Sequence, residues 1–552
     1  MSGTAAEVSR FISGVKIPER SFRPFFAPLC LRIDASKEVQ KMLTVQHLSI
    51  LHNQDLRPLI QDLSFTLTGT ERLAVIGEEG NGKSALLKAI AAPESLQGWA
   101  DVSGEIHITH EKIGYLRQEV SPDWEALPVY QICAESAAFL DTDSGALAAI
   151  CRSLDMPADL CWADTAFRNL SGGEKVRIRM LLLLCEKPTM LLLDEPGNDL
   201  DLSALQALER YLLTCNLPVL YVSHDETMLS RTATQVLHLE SLHGRMEPRW
   251  TWAKEPYSEY VQTRRSQLNR QRNLWEMEQR DRRIRDEKLR KIEDAVAHAQ
   301  ATISRGDPHG GRLLKKKMKA VKSMEHRFER EDENAIEKPA EEYAMFAKFT
   351  EISPIPAGKI ILDLHLPGLE AGERKLCDKI ELQIRGPEKL LLIGENGTGK
   401  TTLLRIMGKQ MAEKTNLKIA YMPQRYEDEL DFEQTPVAYL NTDGSKEQMT
   451  FIRTALISMK FSREELEHPI SFLSGGQKAK VLLLRLIVSQ PDVLLLDEPT
   501  RNLSPLSAPV MRNIIRSFPS AVICVTHDRK MIEEWPGRIL RLTSKGLENV
   551  PC

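Results

Sequence analysis

No apolar run in the sequence approaches the ~20 residues needed to cross a bilayer, so the chain carries no membrane domain and any transport role requires a separate partner. There is no CxxC pair either. The nine cysteines (Cys30, Cys133, Cys151, Cys161, Cys185, Cys215, Cys377, Cys524 and Cys552) are scattered and odd in number. That excludes a disulfide framework or zinc site and points to reduced thiols in the cytoplasm. Glycine and proline are absent from Ser258 to Ser304, a stretch of Gln, Arg, Glu, Leu and Ala. What remains, 552 residues with 42% apolar and 27% charged, is material for two or three domains with full cores.

The stretch without glycine or proline predicts a helix on the order of 65 Å long. A breaker, Ser304 to Gly311, and a second charged run, Arg312 to Glu333, make it one limb of a helical hairpin. Leu289, Ile292, Val296, Ala299 and Ile303 step by 3 and 4, and Leu314, Val321, Met324 and Phe328 nearly repeat the pattern, giving each limb a seam. From Arg264 to Arg330 there are 20 Lys/Arg against 10 Asp/Glu, in a chain whose net charge is −4. Charge-rich helices are usually solvated coiled coils. The clusters Arg280–Arg285 and Lys315–Lys319 favour a polyanion, since they repel one another without one.

On either side of this element the sequence repeats itself. Leu73–Ile76, a buried strand, runs into Gly77-Glu78-Glu79-Gly80-Asn81-Gly82-Lys83-Ser84, and Leu390–Ile393 runs into Gly394-Glu395-Asn396-Gly397-Thr398-Gly399-Lys400-Thr401-Thr402. This is G-x-x-x-x-G-K-[ST] between a strand and a helix, whose backbone N–H groups wrap a phosphate chain. Lys83 and Lys400 are placed to contact the β- and γ-phosphates, and Ser84 and Thr401 to ligate Mg²⁺. Four further matches follow in order: Ile113–Gln118 with Ile419–Gln424, Leu170–Lys175 with Leu473–Lys478, Met190–Pro196 with Val493–Pro499, and Val222–Asp225 with Val525–Asp528. Five ordered matches about 300 residues apart are an internal duplication. Asp194 and Asp497 end apolar strands, where a carboxylate holds Mg²⁺, and Glu195 and Glu498 follow as candidates to polarise the attacking water. Gln118 and Gln424 are placed to sense metal and water, and His224 and His527 to touch the γ-phosphate. A lone Gln or His is usually structural; recurrence in both copies favours function.

The Leu-Ser-Gly-Gly runs resemble the signature of ATP-binding-cassette ATPases. Two cassettes in one chain, no membrane domain and a long basic linker are together similar to the ABC-F class. The resemblance implies an α/β fold: two tandem P-loop nucleotide-binding domains joined by a long α-helical hairpin, with residues 1–41 a disordered or upstream-start leader, 42–250 the first cassette, 251–340 the hairpin and 341–552 the second. It implies head-to-tail pairing within a monomer, with Ser474, Gly475 and Gly476 clamping ATP held by Lys83, and Ser171, Gly172 and Gly173 that held by Lys400. It further implies a cytoplasmic Mg²⁺-dependent ATPase that binds the ribosome, its hairpin reaching rRNA, the P-site tRNA and the peptidyl-transferase centre. Glu498–Ser507 and Met318–Glu331 resemble the subgroup that protects ribosomes from antibiotics. A housekeeping translation factor is the nearest alternative. A DNA-repair ATPase is further off, because such proteins carry their coiled coil inside the cassette.

The two halves also differ. Asp201 of the first D-loop is matched by Ser504 in the second, so the two ATP sites are not equivalent. An aromatic to stack on the base is missing from the second cassette, and His52 is the candidate in the first. The short spacing from Gln118 to Leu170 leaves no room for a large extra arm.

Overall fold

The computed structural model describes residues 41–302 apart from 110–111, 199 and 243–246, residues 316–320 and 322–323, and residues 353–550 apart from 372–373, 415 and 460. Each half is built on a six-stranded sheet of one topology. In the first, the strand order is Ile113–Leu116, Met190–Asp194, Val219–Val222, Arg72–Gly77, Gln235–Leu242, Glu247–Ala253. In the second it is Ile419–Met422, Val493–Asp497, Ala521–Val525, Lys389–Ile393, Arg538–Thr543, Gly546–Asn549. Five strands of each sheet are parallel and the last is an antiparallel edge.

The central strands read as unbroken apolar runs because both faces are covered. Leu191 and Leu193 enter one core while Met190 and Leu192 enter the other, and Leu494/Leu496 and Val493/Leu495 divide in the same way. An antiparallel sheet of Lys41–His52, Pro58–Thr68 and Ala100–Ile108 packs beside the first, and Ile360–Leu366 with Ile380–Arg385 is its counterpart in the second. Both P loops leave the middle of a sheet on a glycine with positive φ, Gly77 (150°) and Gly394 (155°). A Cβ at Gly394 would lie 2.7 Å from the Leu542 carbonyl oxygen, and one at Gly77 would collide with Leu239 O.

The strand Glu247–Ala253 completes the first sheet, so this half runs past the expected boundary at residue 250, and the helix begins at Tyr257 rather than 251. That helix, Tyr257–Thr302, is 46 residues long, about 70 Å at 1.5 Å per residue. Its root is fixed in the first half: Tyr257 and Tyr260 are buried, His238 Nδ1 lies 2.7 Å from Tyr260 Oη, and Arg264 forks onto Glu240 at 3.1 and 2.5 Å. All but Lys41 of the expected leader (1–41), the hairpin turn (304–311) and most of the return limb lie outside the described residues; Lys41 opens the first strand, and 316–320 and 322–323 are helical. Cysteines scattered in sequence gather in space. Cys133, Cys151, Cys161 and Cys185 are all buried in one core of the first half and, like the other described cysteines, free. They pack there as small apolar groups.

The two halves meet through buried charges. Arg512 of the second half donates to Glu226 of the first at 2.7 and 3.1 Å, and Arg529 to Glu209 at 2.5 Å and to Asp225 at 2.8 Å. Arg512 also reaches Asp528 at 3.2 Å. With Arg512 and Arg529 at 4% and 9% side-chain exposure, removing one partner strands a buried charge. Arg512→Ala is therefore expected to weaken pairing of the halves by about 3–5 kcal/mol. A double-mutant cycle with Glu226→Ala should give a coupling above about 1.5 kcal/mol. An unchanged denaturation midpoint for Arg512→Ala would contradict this.

Candidate nucleotide sites at the cassette interface

Two composite sites form where the halves face each other. Within each P loop the lysine is drawn in by main-chain carbonyls. Lys83 Nζ donates to Gly77 O and Glu78 O, both at 3.0 Å, and Lys400 Nζ to Gly394 O and Glu395 O at 2.9 and 2.8 Å. Burial lowers both ammonium pKa values, while the acids around each site resist the shift. The side chain of Asn81, a P-loop residue expected to bind cofactor, faces the neighbouring strand. Its amide donates to Leu239 O at 3.0 Å and accepts from Ser241 Oγ at 3.2 Å, so it ties the P loop to the neighbouring strand.

Ser84 Oγ donates to Asp194 Oδ1 at 3.0 Å. Burial pushes Asp194 up to about 6, against the pull of Ser84. Thr401 lies near Asp497 in the second site, yet both buried oxygens of Asp497 lack a hydrogen-bond partner. A buried carboxylate with both oxygens unsatisfied beside a hydroxyl fits a hard divalent cation. Among the described residues no three or more His, Cys, Asp or Glu converge on a metal position, so such a cation would draw its other ligands from phosphate and water.

Glu195 and Glu498 both adopt left-handed backbone, with φ of 49° and 52°. The same strained conformation in two copies marks a site that over-determines it. Their surroundings differ. Glu195 accepts from Gln118 Nε2 at 2.9 Å and Asn198 Nδ2 at 2.5 Å, and meets His224 Nε2 at 3.1 Å. Burial raises its pKa, but His224, Lys83 and Asn198 outweigh that and hold it at about 2. Glu498 is contacted by Thr526 Oγ1 at 3.3 Å and the His527 amide at 3.2 Å, and burial pushes it up to about 7. His224 Nδ1 reaches across the interface to Leu503 O at 2.8 Å, while His527 Nδ1 is buried without a partner. Burial, with Lys400 beside it, lowers His527 to about 4.

The signature serines cap their helices. Ser171 accepts from the Glu174 amide and Ser474 from the Gln477 amide, both in reciprocal capping boxes. Gly476 N donates across the interface to Glu79 Oε2 at 2.7 Å. A cavity of about 610 Å³ surrounds Lys400, Thr401, Thr402, Gln424, Glu498 and Asn396, with Gly397 and Gly399 also on its wall. Around Lys83, Ser84, Gly80, Gly82 and Gln118 the cavity is about 240 Å³. His52 lines this smaller cavity together with Trp99, their rings edge to face at 4.8 Å. Sequence reasoning missed Trp99, and the only signal was a tryptophan at the strand edge after the P-loop helix. It also missed Glu78, Glu79, Lys480 and Ser507, which meet across the interface.

A family model described as "ABC transporter" matches residues 60–198 and 377–501. No described helix is long and apolar enough to cross a membrane. The ribosome protection protein VmlR of Bacillus subtilis is 31% identical over 392 residues, covering 69% of this chain and 70% of VmlR. The chain belongs to the ABC-F class of ATP-binding-cassette ATPases. This ABC-F ATPase is also 28% identical to the tylosin resistance ATP-binding protein TlrC of Streptomyces fradiae, covering 88% of this chain and 95% of TlrC. ABC transporter F family member 5 of Arabidopsis thaliana is 27% identical over 70% of the chain, which spans about half (53%) of the plant protein. The tandem fold is shared with archaeal ribosome recycling factor aABCE1, solved with the ribosomal stalk protein aP1, at a TM-score of 0.56 and 18% identity, covering 91% of this chain and 90% of that one.

The geometry separates the two glutamates. Glu195 is engaged by three side chains and lines both cavities, whereas Glu498, with two longer contacts, lines the larger one. Glu498→Gln is expected to remove at least ~10-fold more ATP turnover than Glu195→Gln, within the range of general-base effects. Equal residual rates would remove the mechanistic meaning of the asymmetry.

Proposed function

We propose that this ABC-F ATPase binds the ribosome, reaches toward the P-site tRNA and peptidyl-transferase centre with its basic hairpin, and relieves inhibition by an antibiotic bound there. The observation that carries the reading is the match to VmlR over 69% of the chain and to TlrC over 88% of it. The linker supports it. Its 20 Lys/Arg against 10 Asp/Glu suit an RNA backbone, and its root is buried against the first cassette beside the second cassette's D-loop, where Tyr257 Oη reaches Pro505 O at 3.4 Å and Leu506 joins the same core.

In this reading residues 42–253 and 341–552 are the cassettes and the protein works as a cytoplasmic monomer. Lys83 and Lys400 hold the β- and γ-phosphates of ATP, the latter with Thr402 behind it. Asp194 with Ser84 and Gln118, and Asp497 with Thr401 and Gln424, hold Mg²⁺, which neutralises phosphate charge when bound. Glu195 and Glu498 orient water, His224 and His527 meet the γ-phosphate, and Ser474-Gly475-Gly476 and Ser171-Gly172-Gly173 clamp nucleotide on the opposite P loop. Closure of the cassettes moves the D-loop against Tyr257, and so moves the helix that reaches the tRNA.

Expression in a sensitive host with a panel of peptidyl-transferase inhibitors tests the proposal. Growth is expected with at least one drug, and the double variant Glu195→Gln/Glu498→Gln, with hydrolysis lowered at least ~10², should abolish it and accumulate on ribosomes. Shortening 304–311 should spare ribosome association and abolish protection, because turn residues set reach more than affinity. Ribosome binding with no protection against any drug would favour a housekeeping factor instead.

A further inference from the structure

The first P loop carries two acids, Glu78 and Glu79, at the positions of Glu395 and Asn396 in the second. Both cross the interface. Glu79 Oε2 accepts from Gly476 N at 2.7 Å, on the first turn of the 15-residue helix Gly475–Ser489. Glu78 takes Lys480 Nζ of that helix at 3.1 and 3.3 Å and the Ser507 hydroxyl at 3.3 Å. Ser507 N in turn donates to Ser504 Oγ at 3.2 Å, in the second D-loop. An aspartate at 504, as at Asp201, would bring a third carboxylate to this cluster, so Ser504 and the paired acids belong together.

A carboxylate on the main-chain N–H of Gly476 at a helix N-terminus uses the chemistry by which such a terminus holds phosphate. The fit is close, since a Cβ on Gly475 would lie 2.7 Å from Glu79 Oε2. Among the described residues no acid of the second P loop makes such a contact with the first cassette's signature turn. Asn396 is neutral, Arg177 at the position matching Lys480 has a buried Nε without a hydrogen-bond partner, and the cavity is about 610 Å³ against 240 Å³.

We propose that Glu79 is a built-in stand-in for the terminal phosphate of ATP at the first site. It holds the second cassette's signature turn against the first P loop before nucleotide arrives. ATP must displace it to be clamped there, whereas ADP, which has no third phosphate, does not compete with it. The first site is thereby a slow latch and the second the site that follows ATP freely. This rests on the assignment of Lys83 to nucleotide binding, and no ribosome enters its test.

The test uses the full chain with the second site silenced by Lys400→Ala, titrated with MgAMP-PNP and with MgADP by calorimetry. Glu79→Asn, which installs the second cassette's residue, should tighten AMP-PNP about tenfold or more, the scale of one charge-assisted hydrogen bond no longer competing. ADP affinity should stay the same. Donor–acceptor labels beside the first P loop and the second cassette's signature turn should report their contact in the nucleotide-free parent and a wider separation in Glu79→Asn; Glu79→Gln replaces it if the Asn variant fails to fold. No change in AMP-PNP affinity, a weakening, or an equal change for both nucleotides would overturn the proposal. Lys83→Ala is the control: if binding persists in it, the site assignment has failed rather than the stand-in.

Discussion

Two cassettes of one fold can pair in three ways, and the charges at their contact select one. Glu209 and Arg512 occupy matching positions in the two halves, as do Glu226 and Arg529, and the contacts are Glu209 with Arg529 and Glu226 with Arg512. The interface is therefore self-complementary in geometry but segregated in charge, with both acids on the first cassette and both arginines on the second. Pairing two first cassettes would set glutamate against glutamate, and pairing two second cassettes arginine against arginine. Like charges with this little exposure are costly, so the chain is biased to close on itself. The rest of the interface depends on that register, including the signature turn on the opposite P loop and His224 on the second D-loop.

The same interface sets the two sites apart. At the first, the P-loop acids, Lys480 and the serine D-loop interlock, and Glu195 is held by Gln118, Asn198 and His224. At the second, Asp497 and His527 keep buried polar atoms without partners around a larger cavity. Buried unsatisfied groups are tolerated where a ligand supplies the missing bonds. Because Pro505 and Leu506 of the second D-loop lie against the helix root, changes at the first site have a direct mechanical route to the linker.

Much of this was legible in the sequence. Apolar strands ending in Asp-Glu, glycine-rich loops between strand and helix, and five ordered repeats specify the tandem α/β architecture, because backbone wrap and double-sided burial demand those residue types. A long helix followed from the absence of glycine and proline. What was not legible depends on which side chains face which. The side chain of Asn81, within the P loop, turns into the sheet, and Trp99 looks like an isolated surface aromatic but meets His52 at the cavity. The strand Glu247–Ala253 looks like linker until its pairing with Gln235–Leu242 is seen. The arginines and glutamates of the interface look like ordinary surface charges, since no local pattern marks the face that another cassette will cover.

With the first site latched by Glu79, it is ATP-driven closure at the second site of this charge-matched pair that delivers the basic helix to the ribosome. Co-sedimentation of the wild-type protein with ribosomes, in AMP-PNP and in ADP over a salt series, tests it most directly. The account predicts retention with AMP-PNP that falls steeply with salt, as released counterions require, and little retention with ADP. Equal retention with both nucleotides, or binding to duplex DNA as strong as to ribosomes at the same salt, would contradict it.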